Sequence, residues 1–157
     1  MKPKNLLAAA LLAFAAGGAS AQTPANAAVA PSSPAGLWKT IDDDGKTEKS
    51  LVRITDAGGV YSAKVEKISD PTKADSKCDQ CTDERKDKPV VGMTIMRNVK
   101  AAADDKNLWD GGDILDPNNG KVYKVRLKLA DGGKKLDVRG YIGAPLLGRT
   151  QTWIRVE

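Results

Sequence analysis

The stretch "KVYKVRLKL", Lys121 to Leu129, decides the fold class of this 157-residue chain. Apolar or aromatic side chains occupy every second position from Tyr123 onward, and lysine or arginine fills the positions between them. Successive side chains of a strand point to opposite faces, so this alternation gives one apolar face and one charged face. Such a strand is typical of an antiparallel sheet with one side packed on a core.

The same period-two pattern recurs along the chain and predicts eight strands. They are 37–41, 51–55, 60–68, 93–99, 108–115, 121–129, 136–142 and 150–156. Turn sequences such as "DAGG", "DPNNGK" and "DGGKK" lie between several of them. Val99 to Lys106 could form one short helical turn, and no segment predicts a longer helix. A meander of short strands that leaves no exposed edge predicts an all-β, eight-stranded antiparallel up-and-down barrel, with a two-sheet sandwich as the alternative.

The N-terminal residues predict export. Lys2 and Lys4 precede the apolar run Leu6–Ala16, and Ala19-Ser20-Ala21 fits an A-x-A cleavage site. The run is shorter than the roughly 20 apolar residues that a membrane span needs. We therefore interpret residues 1–21 as a signal peptide that is removed, which indicates a periplasmic protein, or a secreted one in a host without an outer membrane.

The remaining chain divides into a linker and one domain. Residues 22–34 carry no charge and consist mainly of Ala, Pro, Ser and Thr, which predicts a flexible linker. Residues 35–157 carry the strand pattern and are the β-barrel domain. No cysteine directly follows the cleavage site, so we expect no lipid attachment and no stable membrane anchor.

Composition excludes several function classes. The chain has 25 basic and 20 acidic residues, and they are mixed in sign along the sequence, so nucleic acid is not an expected partner. It has no histidine, which removes Ser-His-Asp and Cys-His arrangements and histidine-based metal sites. Its carboxylates mostly occupy turns, and "DPNNG" lacks the 12-residue frame of a calcium loop. We expect no enzyme activity, no cofactor and no metal.

Several segments together resemble a known family. They are "GLWKT" (36–40), "VRI" (52–54), "WDGGDILDPNNGKVY" (109–123), "LDVRGYIG" (136–143) and "GRTQTWIR" (148–155). In combination the chain from Gly36 to Arg155 resembles the domain of unknown function 2147, a group of small exported bacterial proteins. The resemblance implies a lipocalin-like, or calycin, barrel with no settled biochemical activity.

The resemblance also implies how one end of the barrel is closed. Gly36-Leu37-Trp38 is similar to the G-x-W sequence that opens the first strand of lipocalins. In those proteins an arginine from the last strand packs over that tryptophan. Here Arg155 or Arg149 is expected to pack over Trp38 through cation–π and packing contacts.

Paired glycines interrupt the fifth predicted strand. Gly111 and Gly112 lie between Asp110 and Asp113, and glycine pairs inside strands indicate a bulge or a close backbone approach. A kink that curves a small barrel is the favoured interpretation. A site that uses the two aspartates is the alternative.

The expected partner is a small apolar or amphipathic ligand inside the barrel. The candidate ligand-binding residues are Trp109, Tyr123, Arg139, Tyr141, Arg149 and Trp153. Arg139 and Tyr141 share one face of their strand, and Arg149, Gln151, Trp153 and Arg155 share one face of theirs. We expect both faces to turn outward, because Leu136, Val138 and Ile142 form the opposite apolar face. If the two faces turned inward instead, the arginines on them would need an acidic partner or an anionic ligand. The alternative function is a solid barrel that binds an envelope protein.

The two cysteines lie in the charged segment "KADSKCDQCTDERKDK" (73–88), between the third and fourth strands. Two cysteines in an exported protein favour a structural disulfide between Cys78 and Cys81. A redox-active pair or free thiols are the alternatives. We expect the disulfide to pinch this connection at a rim of the barrel.

Overall fold

The computed structural model describes residues 32–157 of the chain, and the expected signal peptide and residues 22–31 of the expected linker lie outside this range. Its strands are β1 (Gly36–Ile41), β2 (Glu48–Ala57), β3 (Val60–Ile68), β4 (Thr94–Ala101), β5 (Leu108–Asp116), β6 (Lys121–Ala130), β7 (Lys135–Tyr141) and β8 (Arg149–Arg155). Each strand pairs antiparallel with the next, and β8 pairs with β1 to close the sheet. The eight-stranded up-and-down barrel is confirmed, and the sandwich is excluded.

Two segments differ from the expectation. The prediction of a helical turn over Val99–Lys106 is wrong, because β4 continues to Ala101 and its last residues pair with Asp110 and Trp109 of β5. The last predicted residue of the seventh strand, Ile142, lies beyond β7 and is exposed. Short 3-10 turns occur at Pro71–Lys73, Asp131–Gly133 and Pro145–Leu147. No helix in residues 32–157 is long and apolar enough to cross a membrane.

The barrel has two ends, which we name by their connections. The loop end carries the connections 42–47, 69–93, 117–120 and 142–148, and the closed end carries 58–59, 102–107 and 131–134. Inward-facing side chains form the core between the ends. The most deeply buried are Trp38, Val52, Ile54, Met96, Val99, Val125, Leu127 and Leu136.

A bulge in β5 lets two strands approach closely. The pairing of β5 with β6 shifts register between Trp109 and Gly112, and Gly111 has a φ of 79°. A Cβ atom on Gly112 would clash with the Arg97 carbonyl oxygen and would lie 2.8 Å from the Val99 nitrogen in β4. The glycine pair therefore forms a bulge that lets the barrel curve, which agrees with the kink favoured from the sequence.

Arg155 lies across the closed end. Its guanidinium carbon is 4.2 Å from the ring centroid of Trp38, and its three nitrogens donate to the carbonyl oxygens of Gly133, Ala35 and Ser33, each at 2.7 Å. Burial lowers the pKa of Arg155 from its usual value. The contact with Ser33 shows that the chain is held against the barrel two residues before Ala35, where the barrel domain was expected to begin.

The connection 69–93 folds back on itself and packs against the β4–β5 side of the loop end. Cys78 N–H donates to Lys88 O at 2.9 Å, and Val90 N–H donates to Ser76 O at 2.9 Å. Arg85, which is buried, donates to Thr94 O at 3.2 Å. The same guanidinium is bonded to Asp83, and this hydrogen bond lowers the pKa of that carboxyl to about 2. The connection is an ordered part of the domain.

Candidate ligand site at the loop end of the barrel

The middle of the barrel interior contains a buried indole whose N–H has no hydrogen-bond partner within residues 32–157. Trp153 of β8 is 2% exposed, and its Nε1–H has no hydrogen-bond acceptor among the residues that the structure describes. A buried donor left without an acceptor costs about 1–3 kcal/mol. Trp38, by contrast, donates its Nε1–H to Pro34 O at 2.8 Å. The Trp153 N–H therefore needs an acceptor that the described side chains and backbone do not supply.

A pair of hydroxyls lies on the neighbouring strands. Thr40 Oγ1 and Ser50 Oγ are 2.7 Å apart, and either can be the donor. Lys39 pairs with Ile154, so the register continued by one residue places Thr40 opposite Trp153. Directly opposed residues of an antiparallel pair share a face. Since only one of the two hydroxyl protons is used between them, the pair retains a donor, although neither oxygen accepts a hydrogen bond from the Trp153 N–H.

Half-buried residues surround these groups toward the loop end. Gln151 faces inward because it pairs with buried Val138. Tyr123 pairs with Ile114, which packs against the core, and its hydroxyl accepts a 3.2 Å hydrogen bond from Asn119 Nδ2. Arg149, which pairs with Gly140 and binds Asp43 at the rim, is the charged residue on the inward face at this end of the described chain. The other inward-facing residues there are uncharged: Thr40, Ser50, Ile68, Ile114, Tyr123, Gly140 and Gln151. The arrangement offers neutral donors to an acceptor oxygen.

The structure separates the six candidate residues into four places. Trp153 and Tyr123 face the interior, Trp153 opposite Leu136 of β7 and Tyr123 near the loop end. Trp109 lies toward the closed end, buried edge-on against Tyr61 with ring centroids 6.2 Å apart. Arg139 and Tyr141 lie on the outer face of β7, where Arg139 pairs with Arg126 and Tyr141 with Lys124. Arg149 lies at the rim and forms an ion pair with Asp43.

The expected orientation of two strand faces is right for β7 and wrong for β8. Leu136 and Val138 are buried, so Arg139 and Tyr141 turn outward as expected. In β8, however, Trp153 pairs with buried Leu136, which places its face inward. The apolar pattern of β7 determined the face of β7 alone, because the pairing register relates the two strands. Thr40 and Ser50 were not among the candidates, although Thr40 alternates with Trp38 and so shares its face.

Arg139 holds the connection between β7 and β8 in place. Its Nε donates to Pro145 O at 2.6 Å, Nη2 to Leu146 O at 3.1 Å and Nη1 to Thr150 Oγ1 at 2.7 Å. These bonds use the fork of donors on one guanidinium to bind two successive carbonyls and a hydroxyl. Arg139 therefore fixes the shape of a connection at the loop end from outside the barrel.

The disulfide lies in the connection 69–93 and is buried rather than exposed at the rim. Cys78 and Cys81 are bonded, with Cα atoms 5.3 Å apart, and both join the buried apolar cluster. Cys78 Sγ is 3.6 Å from Pro117 O, and a Cβ on Gly120 would clash with Gln80 O. The disulfide turn therefore packs against the connection between β5 and β6.

Removing this disulfide should weaken the domain without unfolding it. Because the closed ring holds only four residues, the change Cys78→Ala with Cys81→Ala is expected to lower the free energy of unfolding by about 2 kcal/mol. Urea denaturation measures the loss, and hydrogen exchange should rise in 69–93 while β1 and β8 stay protected. Loss of the whole barrel, or an unchanged midpoint, would contradict a local role.

The best-formed concavities on the described residues lie outside this interior region. One groove of about 600 Å³ runs between the end of β3 and the connection 69–93, with Ile68, Pro71, Lys77 and Val91 in its lining. A second, of about 330 Å³, includes Arg85 and Arg97. Neither groove is lined by a buried side-chain nitrogen or oxygen that lacks a partner within residues 32–157, in contrast to the Trp153 region. Within residues 32–157, no cluster of three or more Cys, Asp or Glu side chains could hold a metal ion.

A closed eight-stranded antiparallel barrel, with an arginine of the last strand packed over a tryptophan of the first, defines a lipocalin-like protein. The chain belongs to a bacterial family, described as "Uncharacterized protein conserved in bacteria (DUF2147)", whose model matches residues 36–155. The resemblance found in the sequence is thereby confirmed.

The fold is similar to that of a solved protein. Protein HP1028 from the human pathogen Helicobacter pylori, described as belonging to the lipocalin family, matches with a TM-score of 0.68 and 20% sequence identity. The match covers 80% of this chain and 84% of that one, and at this identity it supports the fold alone. No curated protein matches the chain significantly.

Proposed function

We propose that this protein is exported to the cell envelope, where the loop end of its barrel binds a small amphipathic molecule through an uncharged acceptor oxygen. The buried Trp153 N–H carries the proposal, because it has no acceptor within residues 32–157 and a ligand oxygen there would satisfy it. The lipocalin-like fold and the disulfide are consistent with an exported binding protein.

The chemistry of the region favours a neutral head group. The two arginines on the inward face of β8 are already engaged, Arg155 by three carbonyl oxygens and Arg149 by Asp43, so a carboxylate or phosphate buried beside Trp153 would lack a free cation. An ester, amide or alcohol oxygen can accept from the indole and from the spare hydroxyl of the Thr40–Ser50 pair. Since side chains fill the closed-end half of the interior, only the head group is expected to enter, and the apolar part stays near the loop end.

Replacing Trp153 with phenylalanine should separate binding from folding. The change keeps an aromatic ring but removes the donor, so monoacylglycerol is expected to bind about tenfold more weakly, the equivalent of one hydrogen bond. The free energy of unfolding is expected to fall by less than about 2 kcal/mol, because the lost ring contacts are offset by removal of an unbonded donor. Calorimetric titration and urea denaturation measure the two quantities.

Trp109→Phe is the matched control, since it alters an equally buried tryptophan toward the closed end and should leave the affinity unchanged. A fatty acid of the same chain length should bind more weakly than the monoacylglycerol. Native mass spectrometry of protein purified from its own host should detect a bound species. Equal affinity of Trp153→Phe and the parent, or an empty parent that binds none of these probes, would refute the proposal.

The filled closed-end half of the interior favours one second candidate, an envelope interaction module that binds no small molecule. This function requires that extraction of the native protein yields no ligand. It also requires that crosslinking in cells captures a protein partner, whereas a purely ligand-binding barrel requires none.

A further inference from the structure

The connection between β7 and β8 presents an uncharged apolar tip. We define the β7–β8 tip as residues 142–147, "IGAPLL". Ile142 is 67% exposed, Leu146 86% and Leu147 81%, the largest values among the exposed apolar residues that the structure describes. Tyr141 pairs with Lys124, so the register continued by two residues places Val122, 45% exposed, opposite Gly143. Three exposed aliphatic side chains thus lie within the six residues of the tip, and Val122 is a fourth at the same end of the barrel.

The tip is held in a fixed conformation with its leucines in solvent. Leu147 N–H donates to Ala144 O and Gly148 N–H to Pro145 O, each at 3.1 Å, and together these form a 3-10 turn. Arg139 binds the carbonyls of Pro145 and Leu146 from below. Two leucines ordered in this way contribute nothing to the barrel core, and exposed apolar groups of this kind mark an interaction surface.

We propose that the β7–β8 tip inserts into the surface of a lipid bilayer and docks the loop end of the barrel on the membrane. The inference goes beyond the proposed ligand binding and does not depend on it. The tip is small: Ile142, Leu146 and Leu147, together with Val122, offer on the order of 300–400 Å² of apolar surface, against about 800 Å² for each partner of a stable protein interface. A bilayer needs no complementary protein surface. It therefore suits a tip of this size better than a second copy of the chain does.

The groups around the tip fit the boundary between acyl chains and head groups. Tyr141 lies at the base of the tip, and tyrosines favour this depth of a membrane. Arg139 and Lys124 have no carboxylate partner among the ion pairs of residues 32–157. Asp43, the acid that contacts this corner, is paired with Arg149. Cations beside an apolar tip bind phosphate groups while the apolar side chains enter the bilayer.

Vesicle flotation tests the proposal on the exported protein, with its processed N-terminus checked by mass. The probes are phosphatidylcholine vesicles with and without phosphatidylglycerol. The change Leu146→Asp with Leu147→Asp is expected to reduce the bound fraction at least tenfold on both compositions. Val156→Asp is the control, because it places the same charge on an exposed apolar residue at the closed end, and it should change binding less than twofold.

Leu146→Ser with Leu147→Ser removes the apolar groups without adding charge and should weaken binding as well. The midpoint of thermal unfolding should be unchanged in all variants, since the altered side chains are exposed. Binding of the parent should persist in 0.5 M salt, because apolar insertion is not screened. A parent that fails to float, or a leucine variant that floats as well as the parent, would overturn the inference. So would a parent dimer that these variants dissociate without any vesicle binding.

Discussion

The change Gly112→Ala is expected to lower the free energy of unfolding by about 4 kcal/mol or to prevent folding altogether, because overpacking against backbone leaves few ways to relax. A Cβ at this position would meet the Arg97 carbonyl oxygen and the Val99 nitrogen, which belong to the backbone of β4. The two strands would have to separate, and the β4–β5 pairing on either side, at Met96 and at Lys100, would be lost with them. Urea denaturation with a constant m value measures the effect.

Gly140→Ala provides the matched control. It also adds a methyl group to an inward-facing strand glycine, but its Cβ would meet Tyr123 Cβ at 3.6 Å and Ile114 Cγ2 at 3.9 Å, which are ordinary contacts. We expect a change of less than about 1 kcal/mol, since alanine also suits a strand better than glycine. If Gly112→Ala were as stable as Gly140→Ala, the close approach of β4 and β5 would not constrain the barrel.

The second large effect is expected for Arg155→Ala at the closed end. The change leaves three carbonyls without their donor and removes the guanidinium from the face of Trp38. Unmade hydrogen bonds to a charged group and a partly buried cation–π contact together predict a loss of about 3–5 kcal/mol. The loss should appear in urea denaturation. Hydrogen exchange of the Leu37 and Val156 amide protons, which bond β1 to the residues that follow β8, should accelerate.

Two further arginine variants make this test specific. Arg149→Ala removes an exposed guanidinium from the start of the same strand, where its ion pair with Asp43 should contribute no more than about 1 kcal/mol. Arg155→Lys retains the charge but not the fork of donors, and we expect an intermediate loss. An equal loss for Arg149→Ala and Arg155→Ala would mean that the contacts of Arg155 do not close the barrel.

Local patterns along the chain were sufficient for the fold. The alternation in Lys121–Leu129 and its repeats predicted each strand, since the period of two follows from backbone geometry alone. Asp, Asn and Gly between the strands predicted the turns for an equally local reason. The prediction failed at Val99–Lys106, where "KAAADDK" has helical propensity but β4 gains pairing with Asp110 and Trp109. Tertiary pairing outweighs such a weak preference.

The candidate site could be predicted only in part. Trp153 and Tyr123 were found because aromatic residues on strands are conspicuous, but Arg139 and Trp109 were placed with them although they lie on the outer face and toward the closed end. Thr40 and Ser50 have no motif of their own. Their proximity to Trp153 depends on how β1 pairs with β2 and β8, which no local pattern encodes.

By itself, the sequence determined the number of strands, their order, the turn positions and the family, because each depends on residues that are near one another in the chain. Only the tertiary structure decided the facing of β8, the choice of Arg155 over Arg149 above Trp38, the burial of the Trp153 N–H away from any acceptor in residues 32–157, and the exposure of the β7–β8 tip. These features depend on the register in which distant strands meet. A shift of one residue in that register would exchange every inward and outward side chain.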